Sequence, residues 1–241
     1  MKDELYNNRK EILDDFAFNE NTANIFNDML KRSVPHYYEI QDMICEISKI
    51  FAQKNSNIYD LGCSTGNTLL NISKGLSKFP VTLIGIDNSE AMLKKAEARL
   101  KKLGFSHKYE LLNKDLNNKI GFENAGVIIS NLTLQFIRPI NRDRLLTEIY
   151  KGLNKNGIFI LVEKIVAENS TMRRMFIKLY HDFKLQKRYS RTEIARKREA
   201  LENFLIPYMY EENVRLLKKK GFQIIDEFFR WYNFCGILAI K

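Results

Sequence analysis

Apolar and polar positions along the chain change period several times, and the changes mark its elements. Ile25, Phe26, Met29 and Leu30 recur at helical spacing, Val34-Pro35 breaks the pattern, and Ile40, Met43, Ile44, Ile47 and Ile50 resume it over residues 38–51. The first fifty residues therefore predict a helical flank. From Ile58 onward short apolar runs predict strands at 58–61, 81–86, 109–112, 127–130 and 158–162. Stretches of helical period lie between them at 89–103, with Ser89 a candidate N-cap and Glu90 in the first turn, and at 141–153. Strands alternating with helices call for a parallel sheet covered on both faces. After a helix at 211–220 closed by Gly221, the runs 222–229 and 234–240 are too close for a parallel crossover, so they predict an antiparallel hairpin at one sheet edge. An insertion at 167–206, rich in Arg, Lys and aromatic residues, reads as helical. The division expected is a helical flank or lid over 1–55 and an α/β domain over 56–241 carrying that insertion.

The strand-to-helix turn Tyr59-Asp60-Leu61-Gly62-Cys63-Ser64-Thr65-Gly66 carries the first chemical signal. Gly62 and Gly66 let the chain turn sharply and let a ligand lie on bare backbone, and the helix start after Asn67 adds a positive dipole end. One βα unit later, Asp87 closes the second strand, placed to accept hydrogen bonds from two ribose hydroxyls, with Asn88 beside it for the base. A dinucleotide site would need G-x-G-x-x-G around a pyrophosphate, and Ser64 stands where the middle glycine belongs. The turn thus favours S-adenosylmethionine, which has no phosphate. Asn131, at the end of the fourth strand, is placed either to touch the methionine portion of that ligand or to act as a buried cap. The segment Ser130-Asn131-Leu132-Thr133-Leu134-Gln135-Phe136 lacks the Asn/Asp-Pro-Pro-Tyr/Phe pattern of many amino methyltransferases.

Composition narrows the classes. At 241 residues and 45% hydrophobic, the chain can bury a substantial core, and it has no apolar run long enough for a membrane span. The polar start Met1-Lys2-Asp3-Glu4-Leu5 does not resemble a secretory signal, so a soluble cytoplasmic protein is expected. Cys45, Cys63 and Cys235 fit neither a disulfide framework nor metal-ligand spacing, and no metal is expected. The net charge of +10 is spread over helix surfaces such as Lys94-Lys95 and Lys218-Lys219-Lys220, which reads as solvated faces rather than a nucleic-acid strip.

The layout resembles the Rossmann-like fold of class I S-adenosylmethionine methyltransferases, with a seven-stranded, mostly parallel sheet. Three further segments sharpen the likeness: 29–37, containing Arg32, Pro35 and Tyr37; 180–184, containing Tyr180 and His181; and 194–203, containing Arg196-Lys197-Arg198. With the turn, the Asp87 strand end and the Asn131 segment, they resemble the carboxy-S-adenosyl-L-methionine synthases from about Phe18 to the C-terminus. The resemblance implies conversion of S-adenosyl-L-methionine and prephenate to carboxy-S-adenosyl-L-methionine and phenylpyruvate. That product would serve a partner enzyme that modifies the wobble uridine of tRNA, and the chain itself would work as a homodimer on a metabolite. A methyl on a positive sulfur is weakly acidic, and prephenate, losing carbon dioxide and its ring hydroxyl, would supply both electrophile and base in a dry pocket. Arg198 would hold the new carboxylate, a contact typically worth about 1.5–3 kcal/mol; by composition it is a solvated helix face. Tyr37, Gly62, Cys63, Ser64, Asp87, Asn88, Asp115, Leu116, Asn131 and Arg198 are the implied cofactor-binding residues. No protein general base is assigned, and Arg32, Tyr180 and His181 are candidates for the prephenate contacts. A conventional methyltransferase and a non-catalytic S-adenosylmethionine-binding scaffold are the alternatives.

Overall fold

Strands covered on both faces do not alternate apolar and polar residues, and the central strands are apolar over most of their length, with polar residues such as Asp60, Asn131 and Glu163 toward their carboxyl ends. The computed structural model describes Lys2, Asp3, Leu5 and residues 17–241 except Ser106; the helical expectation for residues 6–16 lies outside the described residues. Seven strands form one sheet: β1 (Asn57–Leu61), β2 (Thr82–Asp87), β3 (Lys108–Asn113), β4 (Ala125–Asn131), β5 (Leu153–Lys164), β6 (Ile224–Trp231) and β7 (Phe234–Ile240). Their order is β3-β2-β1-β4-β5-β7-β6. The first five run parallel, and β7 lies antiparallel between β5 and β6. The expected hairpin is therefore present, with β6 outermost.

Eight α-helices accompany the sheet among the described residues: α1 (Glu20–Ser33), α2 (Tyr37–Phe51), α3 (Asn67–Gly75), α4 (Glu90–Lys102), α5 (Pro139–Gly152), α6 (Ser170–Gln186), α7 (Arg191–Leu201) and α8 (Tyr210–Lys220). Neighbouring residues of β4 and β5 serve opposite faces. Ile128, Phe159 and Leu161 pack with Leu145, Leu146 and Ile149 of α5 and Leu217 of α8. Val127, Ile129, Ile158 and Ile160 pack with Ile40 and Ile44 of α2, Leu69 and Ile72 of α3 and Leu93 of α4. A third, smaller cluster joins Phe26 and Met29 of α1 to Met92 of α4 and Ala200 of α7, closing the carboxyl edge of the sheet.

Local chemistry sets most element ends. The Ser89 hydroxyl accepts from the Met92 amide, as its sequence position predicts, and Ser190 with Glu193 forms a reciprocal capping box that starts α7. Gly221 ends α8 in the left-handed region, at φ 106°. The insertion is not helical throughout, because the capping box at Ser190 splits it and α7 ends at Leu201. Past that point the Ile206 amide donates to the Gln135 carbonyl at 2.9 Å, which fastens the insertion to the loop after β4.

Two arginines work as internal ties. Arg142, 2% exposed, donates to the carbonyls of Ile137, Gln135 and Ile206 at 2.9, 3.2 and 2.7 Å. Arg32 donates to the carbonyls of Lys187 and Arg188 at 2.9 and 2.8 Å and to that of Asp3 at 3.0 Å, and its guanidinium lies 3.9 Å from the Tyr189 ring centroid. Its donors are thus engaged within the fold, with these carbonyls and with Asp28 at 3.4 Å, which argues against its candidacy as a prephenate contact. Asp3, 2% exposed, completes this cluster by pairing with Lys197 at 3.2 Å and accepting from the Tyr189 hydroxyl.

Arg142→Met would leave the buried Ile137 carbonyl without its donor and remove one donor each from the Gln135 and Ile206 carbonyls. A loss of roughly 2–4 kcal/mol in unfolding free energy is expected. Urea titration checks this, and an unchanged midpoint and slope would refute the tie.

Candidate functional site

The turn after β1 is built by three left-handed residues within five: Gly62 at φ 68°, Ser64 at 50° and Gly66 at 77°. At Gly62 the freedom is required twice over, because a Cβ there would also stand 2.4 Å from the Thr133 hydroxyl oxygen. The turn and the loop after β4 can meet only through bare backbone. Bent this way, the chain aims the Ser64 amide at Asp87, whose Oδ2 accepts it at 2.9 Å while Oδ1 accepts the Ser89 amide at 2.9 Å. Each carboxylate oxygen keeps a lone pair for a ligand. Arg99 holds the far side of the turn, donating to the Thr65 carbonyl at 2.6 Å and to Asn67 Oδ1 at 2.8 Å, so Thr65 and Asn67 both serve its architecture.

Tyr37, Gly62, Cys63, Ser64, Asp87, Asn88, Asp115, Leu116, Asn131 and Arg198 all line one cavity of about 440 Å³ over the carboxyl ends of β1, β2, β4 and β5. Tyr180 and His181 line it too, whereas Arg32 does not. Phe26, Met29 and Leu30 of α1, Ile177 of α6 and Leu201 of α7 supply its apolar cover.

Individual environments differ. The Tyr37 phenol accepts from Gln41 at 2.9 Å and Asn67 at 3.0 Å, and burial pushes its pKa up to about 12, so it stays protonated with its own hydrogen available. Asp115 Oδ1 accepts from the amide and side chain of Asn117 at 2.8 and 3.0 Å, which shapes the loop after β3. Burial raises the Cys63 thiol well above its ordinary range, so it is a packing residue and not a nucleophile. Among the described residues no cluster of His, Cys, Asp or Glu could hold a metal, and no helix is long and apolar enough to cross a membrane.

Two polar atoms in the lining have no hydrogen-bond partner among the described residues: Asp60 Oδ2 and Asn131 Oδ1. Asp60 is 1% exposed, and burial, reinforced by the charge of Asp87, pushes its carboxyl up to about 8. Unpartnered buried acceptors on neighbouring strands fit the α-ammonium of an amino acid, while Asp87 fits a pair of ribose hydroxyls. The chain's own donor set therefore suits S-adenosylmethionine. Sequence reasoning noted Asp60 as part of the turn without giving it a contact. Thr133, Gln135, Lys164 and Lys184 also line the cavity, and the sequence reading gave none of them a role, although all but Lys164 lie in the segments that carry the family resemblance.

The comparisons agree with this geometry. Residues 52–221 match the methyltransferase domain family. The carboxy-S-adenosyl-L-methionine synthase of Methylococcus capsulatus is 48% identical over 240 residues, covering 100% of this chain and 99% of its own. That of Sulfurimonas denitrificans is 46% identical over 245 residues, covering both chains in full. The chain belongs to the carboxy-S-adenosyl-L-methionine synthase family. It is accordingly an enzyme of the transferase class, built on a class I S-adenosylmethionine methyltransferase fold. Solved structures of a putative S-adenosylmethionine-dependent methyltransferase from Methanococcus maripaludis (TM-score 0.62, 17% identity, 94% of each chain) and of one from Aquifex aeolicus (TM-score 0.60, 17% identity, 93% of this chain and 99% of that one) share that fold.

In this family member the protonation of Asp60 makes a measurable signature. Folded Asp60 keeps its proton up to about pH 8 although the free carboxyl loses it near 3.8, so its contribution to stability falls as pH rises between those values and is level above. An ammonium bound beside it reverses the preference and expels the proton. Affinity for S-adenosylmethionine is therefore expected to rise with pH toward about 8 and then level off, with proton release visible as buffer-dependent calorimetric enthalpy. Asp60→Asn should flatten the profile; an unaltered profile would remove Asp60 from the contact.

Proposed function

We propose that the chain takes S-adenosyl-L-methionine and prephenate and forms carboxy-S-adenosyl-L-methionine, phenylpyruvate and water, supplying a separate enzyme that modifies the tRNA wobble uridine. The observation that carries this reading is the placement of Arg198. Arg198 lines the cavity of its own chain and forms no ion pair with a carboxylate among the described residues. A methyltransferase proper has no acid to hold near the transferred methyl, whereas a carboxylated product does, and a guanidinium binds it through two parallel hydrogen bonds.

The cavity's polarity supports the same reading. Asp60, Asp87 and Asp115 stand at the ends of β1 and β2 and after β3, where they suit the ammonium, ribose and adenine parts of the sulfonium ligand. Lys164, Lys184, Lys197 and Arg198 stand at the end of β5 and on α6 and α7, where they suit an anionic donor. When bound, the sulfonium supplies a methyl carbon acidified by the adjacent positive sulfur. The donor supplies carbon dioxide and hydroxide; one methyl proton leaves with the hydroxide as water, and the carbon bonds to carbon dioxide. No side chain need act as the base.

What the chain's residues contribute is orientation and dryness. Phe18, Phe136 and Phe204 line the cavity with their ring centroids 5.5 and 5.4 Å apart in sequence of contact, and with α1, α6 and α7 they keep out the water that would quench a carbanion. Helix α1 and the insertion 167–206 are the two halves of that lid over the S-adenosylmethionine-binding unit. One side of Arg198 is exposed, and a second copy of the chain would close it in a cytoplasmic homodimer that touches neither nucleic acid nor membrane.

Mass spectrometry of the small molecules after incubation with S-adenosylmethionine and prephenate tests the proposal. Carboxylated product is expected; S-adenosylhomocysteine would instead identify a conventional methyltransferase, and unchanged ligand a non-catalytic binder. Arg198→Ala is expected to weaken retention of the carboxylated ligand roughly ten- to a hundredfold, with S-adenosylmethionine affected less than about threefold. Equal losses for the two ligands would remove Arg198 from this role.

A further inference from the structure

The three lysines at the basic end of the cavity are not alike. Lys197 is neutralised within the chain by its ion pair with Asp3 at 3.2 Å. Lys184, on α6, is 7% exposed, and Lys164, at the end of β5, is half-buried; both line the cavity. Neither ammonium has a carboxylate, carbonyl or hydroxyl partner among the described residues. Each rests instead against the ring of Tyr180, with Nζ 4.4 Å from the centroid for Lys184 and 5.1 Å for Lys164. That ring is a fixed seat: its hydroxyl donates to the Ser33 carbonyl at 2.8 Å, and Trp231 and Phe234 meet it edge-on.

Long lysine stems ordinarily reach for water, and Lys184 does not. A buried ammonium with no carboxylate in contact is costly, the more distant charge of Asp3 offsets only part of that cost, and a second ammonium on the same ring adds repulsion. Burial and the charges of Lys197 and Lys164 accordingly lower the pKa of Lys184 well below the usual lysine range. Nothing in the fold requires the pair, since an apolar side chain would pack against Tyr180 at lower cost. An anion between or beside them would turn the penalty into binding energy.

The donor's chemistry says which anion. Under the carboxyl-transfer reading, on which this inference rests, the donor carries two carboxylates, and the one that departs as neutral carbon dioxide cannot anchor it through the reaction. We propose that Lys164 and Lys184, seated on Tyr180, form a subsite for the carboxylate that the donor retains in its 2-oxo-acid product, leaving Arg198 for the carboxyl that is transferred. Anchoring at the retained end holds the donor while its other end reacts. His181, adjacent to Tyr180 and within reach of the fields of Lys184, Arg198 and Lys164, has its pKa lowered mainly by burial and then by those cations, so it flanks the subsite as a neutral imidazole.

The test uses the full chain with Lys184→Met, Lys164→Met and Lys184→Arg. Each Met variant is expected to raise KM for prephenate at least tenfold and to weaken phenylpyruvate binding, read by calorimetry, by a similar factor. Affinity for S-adenosylmethionine should stay within twofold of the parent value, Lys184→Arg should recover part of the loss, and the melting temperature of Lys184→Met should be no lower than that of the parent. Unchanged KM and phenylpyruvate affinity would overturn the assignment, as would an equal loss for S-adenosylmethionine or a lowered melting temperature that alone accounts for the effect. If the parent protein forms no carboxylated product, the functional reading fails separately: lysine-dependent phenylpyruvate binding would still support the subsite, and its absence would overturn it.

Discussion

The contact between the backbone at Gly62 and the side chain of Thr133 governs the geometry of the whole cavity. There is no room for a Cβ between them, so the turn after β1 and the loop after β4 are held at a fixed distance by excluded volume. Because the turn is pinned there, the Ser64 amide reaches Asp87 and the ends of β1, β2 and β4 present Asp60, Asp87 and Asn131 to one space. A binding site on an open α/β sheet forms where neighbouring strand ends diverge, and here that divergence is set by one missing side chain.

On this frame the protein has separated charge. Most of the cavity's carboxylates occupy the ends of β1 and β2 and the loop after β3, and most of its cations occupy β5, α6 and α7, Lys114 beside Asp115 and Glu202 at the end of α7 being the exceptions. Both sets are partly desolvated, so each is more responsive to a ligand's charge than it would be on the surface: Asp60 is held protonated and Lys184 is discouraged from ionising until a counter-charge arrives. The proposed ligand pair, with a cationic sulfonium portion and an anionic donor portion, would relieve both penalties at once. Glu163, equally buried and with its carboxyl pushed up to about 8, shows that a raised pKa alone does not mark a site. Its Oε1 accepts the Leu134 amide at 3.0 Å and serves to hold the loop that carries Thr133 and Gln135.

The cover is tied to the sheet by polar contacts of great sequence separation. Arg32 of α1 grips the end of α6, Asp3 grips Lys197 of α7, and Arg142 grips the exit of the insertion through Ile206. Asp3, α1 and the insertion are thereby tied to one another.

How much of this was legible depends on whether the cause was local. The central strands were, because two-sided burial writes an uninterrupted apolar run, and so were the Ser89 cap and the Gly221 stop. β5 extends back to Leu153, beyond the expected 158–162, because Leu153 pairs with Ala125 across a register shift that polar residues 154–156 conceal. The insertion's break at Ser190 was missed although its capping box is written in the residues. Arg32, Lys164 and Lys184 could not be sorted from the other basic residues, since nothing in a list of 39 lysines and arginines distinguishes a clamp, a buried unpaired cation and a solvated one. The amino-acid sequence by itself determined the strand and helix order, the glycine turn and the acid that faces it, because periodicity and φ requirements act over a few residues. Tertiary structure alone decided which cations are buried and which are paired, because that depends on segments distant in sequence brought together, as Arg32 is to residues 187–188 and Lys197 to Asp3.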